Sequence, residues 1–103
     1  MDRTAHLATF ARRVEQSAAR ADWSGLESTD RELAAWLRGV SRLGPFDSAE
    51  RAALDRLREA HEAARDKCRR EADRLAEVLT GLRQRRDGWL AYAFEDGLER
   101  TEP

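Results

Sequence analysis

Residues 47–87 read DSAERAALDRLREAHEAARDKCRREADRLAEVLTGLRQRRD, and this stretch decides the fold. It opens with Asp47-Ser48-Ala49-Glu50. An aspartate there can accept from the free N–H groups of a first helical turn, and a glutamate three places later can reach back to the cap. From there to Asp87 the run has no proline and one glycine, Gly81, in a background of Ala, Leu, Arg and Glu. All four are strong helix formers. A seven-residue step carries Leu54, His61, Cys68, Leu75 and Leu82, and a companion step carries Leu57, Ala64, Glu71 and Val78. Two seam positions per heptad mark a helix packed lengthwise against other helices. The spacing predicts one long helix over about 48–87, roughly 60 Å at 1.5 Å per residue. Such a helix is the spine of an elongated hairpin or bundle.

The seam is uneven. Leucine and valine hold its ends, while His61, Ala64, Cys68 and Glu71 fill its middle. Small and polar residues bury little apolar surface, at about 25 cal/mol per Å². Leu75, Val78, Leu79 and Leu82 should therefore carry much of the packing. Asp66 and Arg70, and Lys67 and Glu71, stand four apart with opposite sign and add helical support. Arg83, Arg85 and Arg86 suit the end of a helix, where the macrodipole favours cations.

Working outward, the chain of 103 residues is expected to form one helical domain, 1–103. Hydrophobic residues make up 41%, but many are alanine, so the core is thin and pairing with a copy or a partner would bury more. Charged residues make up 38% with a net charge of −1, which argues against a general polyanion binder. The strict apolar periodicity argues against disorder. The single cysteine, Cys68, excludes an intrachain disulfide and suits a reducing compartment. No stretch is apolar enough to span a membrane, and Met1 to His6 lacks the apolar core of a signal peptide. A cytoplasmic location is expected.

The first helix is placed at about 4–21 on the step Leu7, Phe10, Val14, Ala18 and Ala21. Asp22-Trp23-Ser24-Gly25 predicts a kink or tight corner plugged by Trp23, with Asp22 or Ser24 as a cap. The second helix, about 23–43, carries Leu26, Leu33, Trp36, Leu37, Val40 and Leu43, with Asp30 where an apolar residue would be expected. Gly44-Pro45-Phe46 ends it, and so short a connection sets the second and third helices antiparallel. After Asp87, Gly88 permits a turn into a short fourth helix at about 89–98 that contains Trp89, Tyr92 and Phe94. No strand signal occurs. The fold class is all-α, an elongated antiparallel helical hairpin or bundle of three to four helices. The second helix reaches only to about residue 67 of the long one, so the upper half needs another cover. The first helix continuing in line with the second, the tail, a second subunit in a homodimer, or a partner could each supply it.

Chemistry finds few candidates. His61 and Cys68 share a seam but stand seven apart, about 10 Å along the axis, whereas metal ligands on one helix prefer steps of three or four. A polar layer in a packed seam is the simpler reading of His61, Cys68 and Glu71. Arg69-Arg70 is flanked by acids, and the arginines near 85 fit a helix end, so neither marks a nucleic-acid site. No phosphate loop, zinc pattern or nucleophile motif is present, and neither an enzyme activity nor a cofactor is expected. What remains is apolar surface on the second and third helices and the aromatic stretch from Trp89 to Phe94, which could fold back as a lid.

With these residues in view, the chain resembles the FliT-type flagellar export chaperones. The resemblance is carried by Arg20-Ala21-Asp22-Trp23-Ser24-Gly25-Leu26 and the amphipathic helix after it, by residues 71–82 (EADRLAEVLTGL), and by the Ala91-Tyr92 pair. The Gly44-Pro45 connection and the short tail depart from the pattern. The resemblance implies a cytoplasmic helical chaperone for the filament-cap protein of the flagellum. It also implies contact with the export ATPase complex or a flagellar transcription activator. Carried over, a client groove would involve Leu33, Trp36, Leu37 and Val40 of the second helix with Leu75, Val78, Leu79 and Leu82 of the third. A lid would comprise Trp89, Leu90, Tyr92, Phe94 and Leu98, with Tyr92 at the matching tyrosine. The competing reading is a self-associating coiled-coil adaptor without an export client.

Overall fold

The computed structural model describes the backbone of residues 2–101 and the side chains of residues 2–95. Three α-helices follow one another, α1 at Arg3–Ala19, α2 at Trp23–Val40 and α3 at Ser48–Thr101, with a 3₁₀ turn at Ser41–Leu43. Among the described residues there is no strand. The chain divides into two units, Met1–Arg69 and Arg70–Pro103, and α3 contributes to both.

The first unit is a three-helix bundle. Its core is Leu7, Phe10, Ala11, Val14 and Ala18 of α1 with Leu57, Ala60 and Ala64 of α3. From α2, Leu26, Leu33 and Trp36 pack against that core. Polar contacts fix the directions. Arg13 pairs with Glu32 and Phe10 meets Trp36, so α1 and α2 run antiparallel. Asp30 meets His61, while Leu33 and Leu37 share a groove with Leu54 and Leu57, so α2 and α3 run antiparallel. Arg3 pairs with Glu50 and Lys67 reaches Ala18, so α1 and α3 run parallel. The first helix thus folds back on the second instead of continuing in line with it.

The corner between α1 and α2 explains the reversal. Ala21 takes a left-handed conformation with φ of 53°. Its N–H bonds to the Ala18 carbonyl, and the Asp22 N–H bonds to the Ser17 carbonyl at 2.8 Å, closing the end of α1. Asp22 then accepts from the Gly25 N–H at 2.9 Å and caps α2. A Cβ at Gly25 would sit 2.3 Å from the Asp22 carboxylate, so glycine lets the cap keep this close rotamer without shifting. The end of α2 is tighter than the predicted helix to Leu43, because its last turn becomes 3₁₀ before Gly44, at φ 104°, releases the chain.

The start of α3 is a reciprocal capping box. The Glu50 N–H donates to the Asp47 carboxylate at 2.8 Å, and the Asp47 N–H donates to Glu50 at 3.0 Å. Arg3 completes it from α1. Its guanidinium pairs with Glu50, donates to the Gly44 and Pro45 carbonyls and lies 4.8 Å from the Phe46 ring centroid.

The second unit is helical over its described residues. The predicted turn at Gly88 and the separate helix at 89–98 are not formed, because α3 runs through to Thr101. One glycine costs a helix about 1 kcal/mol relative to alanine, and that does not break a run with no proline.

Candidate functional site

Of the polar seam residues, His61 pairs across the bundle, while Glu71 is half-buried in the second unit. His61 of α3 lies 3.1 Å from the Asp30 carboxylate of α2, so the two residues that interrupt apolar faces satisfy each other across the bundle. Cys68 is exposed and unbonded to sulfur. Among the described residues, no group of three His, Cys, Asp or Glu side chains could hold a metal ion. Lys67, predicted only as a surface charge, donates to the Ala18 carbonyl at 2.6 Å and the Ala19 carbonyl at 3.3 Å, holding the last turn of α1. Glu50 has its carboxyl held below the ordinary carboxylate range, first by the hydrogen bond from Arg3 and then by the backbone N–H of Asp47.

The residues assigned to a client groove fall in both units. Val40 is buried in the first unit. Trp36 is half-buried, stacked on His6 at a centroid distance of 5.5 Å and tilted on Phe10 at 5.7 Å. Its indole N–H is buried without a hydrogen-bond partner among the described residues. Leu33 and Leu37 are half-buried in an open groove shared with Leu54, Leu57, Arg58 and His61. Within the first unit, then, Trp36 and Val40 serve mainly as structure, and Leu33 and Leu37 present accessible apolar surface.

Leu75, Val78, Leu79 and Leu82 belong to the second unit and are exposed, at 49–55%. Trp89, Leu90, Tyr92 and Phe94 are more exposed still, at 60–81%. The side chain of Leu98 lies outside the described residues. Within the described residues of this unit the helix has no second element to bury against, and eight large apolar side chains over twenty residues form a patch that soluble chains seldom leave open. With α3 unbroken, the seven-residue step from Leu82 lands on Trp89, and the step from Val78 passes Arg85 to Tyr92. Trp89 and Tyr92 therefore prolong the seam. That signal was present in the sequence but was masked by reading Gly88 as a break.

No described helix is long and apolar enough to cross a membrane. Compared with known proteins, the chain matches no family model, no curated protein and no solved structure.

Proposed function

We propose that this chain is a cytoplasmic helix-docking chaperone of the flagellar export kind. It binds an amphipathic helical segment of the filament-cap protein, and it has no catalytic role. The observation that carries this reading is the exposed apolar face of α3, from Leu75 through Leu82 to Trp89 and Tyr92. An amphipathic client helix recognises such a face through anchors at helical spacing. The residues that resemble FliT-type chaperones supply the client class, and the same class brings the export ATPase complex or a flagellar transcription activator as a further partner.

Gating takes a particular form here. A segment of α3 cannot cover the same helix while it remains helical throughout. Trp89, Leu90, Tyr92, Phe94 and Leu98 act as a lid only by breaking α3 at Gly88. While α3 is unbroken, Trp89 and Tyr92 instead lengthen the docking face.

Calorimetric titration with the C-terminal segment of the cap protein tests this reading. The full chain is compared with Leu79→Glu, which places a charge on the face, and with a chain ending at Asp87. Binding by the full chain and its loss in Leu79→Glu support the reading. Tighter binding by the chain ending at Asp87 supports gating, and weaker binding supports the lengthened face. Absence of binding by any of the three refutes the client assignment and leaves the self-associating adaptor.

A further inference from the structure

The second unit carries a seam with no cover among its own described residues. On an unbroken helix the two steps are Leu75, Leu82, Trp89 and Val78, Arg85, Tyr92. We propose that, in the absence of a client, a second copy of this chain occupies that seam in antiparallel pairing. Leu75 of one copy then lies against Tyr92 of the other, Val78 against Trp89, and Leu82 against Arg85.

Direction and register follow from the residues. A parallel in-register pair would set Arg85 on Arg85 inside the seam. The antiparallel register sets each Arg85 against a leucine, along which its methylene stem can lie while the guanidinium reaches the edge. It also matches the leucine-rich half of the seam with the aromatic half, and two-fold symmetry repeats every layer.

The flanks agree with the same register. The positions immediately before the first step are Arg74, Gly81, Gly88 and Glu95. Antiparallel helices bring flanks of the same kind together. Arg74 then faces Glu95, with opposite charge, and Gly81 faces Gly88, each pairing occurring twice. Both charged side chains are exposed.

The glycines suit the same register. A Cβ at Gly81 or at Gly88 would meet nothing within 4 Å. The chain's own packing therefore gives no reason to place two poor helix formers there. A backbone approaching from outside does, because facing glycines let two helices come close. Leu90 and Phe94 lie off this seam and stay uncovered. The pairing does not depend on the identity of a client, although a client docking on the same seam would displace the second copy.

The test uses the full chain with Cys68→Ser, carrying either Gly81→Cys or Gly88→Cys. Circular dichroism confirms that each variant is folded, and the open space at both positions favours this. Positions seven apart on one helix are about 10 Å apart, too far for an intrachain bridge. On mild oxidation, an equal mixture of the two chains should form a mixed disulfide dimer at least about ten times faster than either chain crosslinks alone, because only the mixture places thiols within disulfide reach. Equal crosslinking of a single variant would show a parallel pair and overturn the proposal. So would an unmutated chain that sediments as a monomer from micromolar to millimolar concentration. Arg74→Glu should weaken the dimer roughly tenfold, and adding Glu95→Arg should restore it. A dimer indifferent to both changes would refute the register.

Discussion

Replacing Leu7 by alanine is the most informative single perturbation of the bundle. Among the described residues of this core, Leu7, Val14 and Leu57 are the large side chains with almost no exposure, and the rest of the core is largely alanine. The alanines at positions 11, 18, 60 and 64 have no side chain long enough to swing into a void, so the site collapses poorly. A buried Leu→Ala change costs 2–5 kcal/mol, and poor collapse places this one at about 3 kcal/mol. A unit of this size holds only about 3–5 kcal/mol in its core, so the loss approaches the whole stability. For a small domain each kcal/mol is worth about 4–8 °C, which gives a fall in Tm of about 12–24 °C. The assay is a far-ultraviolet circular dichroism melt, repeated by urea titration. Leu7→Met serves as the volume-conserving control and should cost under about 1.5 kcal/mol. Leu79→Ala removes the same atoms from an exposed site and should stay within about 0.5 kcal/mol at a concentration where the chain is monomeric. A Leu7→Ala chain that melts within about 3 °C of the parent would refute the three-helix core, since that shift is worth well under 1 kcal/mol.

The remaining predictions concern the ends of helices. Lys67→Met removes the donor that holds the Ala18 and Ala19 carbonyls and should cost about 1 kcal/mol by urea denaturation, through loss of the last turn of α1. Ala21→Gly should stabilise by about 0.5–1 kcal/mol, because a residue at φ 53° is strained with a Cβ and relaxed without one. Glu50 has a folded pKa below its ordinary value, so its contribution is full above the unfolded pKa and is lost as pH falls through the folded one. Melts across the acid range should therefore show the parent losing more stability than Glu50→Gln on acidification; equal losses would contradict the assigned cause.

The N-terminal signals of the fold could be read directly from residues. The Asp47–Glu50 box lies in four consecutive residues, and both of its reciprocal bonds form. Asp22 was one of two candidate caps, and the structure selects it through the N–H of Gly25. The reversal between α1 and α2 was not legible, because its left-handed position is held by Ala21, where no glycine advertises a turn. The end of α3 was misplaced for the opposite reason. Gly88 advertises a turn, but nothing nearby opposes the helix strongly enough to use it. Asp30 and His61 each stood out as polar intruders on an apolar face, yet their partnership spans 31 positions and depends on the register of two helices. The same holds for Arg3, whose partners lie across the bundle. As for the candidate surface, the apolar residues were legible by type and spacing. Their division between two units was not, because seam periodicity says that a face is covered without saying by what.

The Arg3 clasp bears on how long the folded bundle lasts. It joins residues 47 apart in sequence, whereas α1 with α2 and α2 with α3 are neighbours across short connections. Local pairs close cheaply and early, and a contact between the outer helices must wait for both. Energy added after the rate-limiting step leaves the folding rate alone and slows unfolding. Arg3 therefore works as a latch. Its loss should leave refolding times unchanged while the native state opens more often, and each opening exposes a helical chain to proteases.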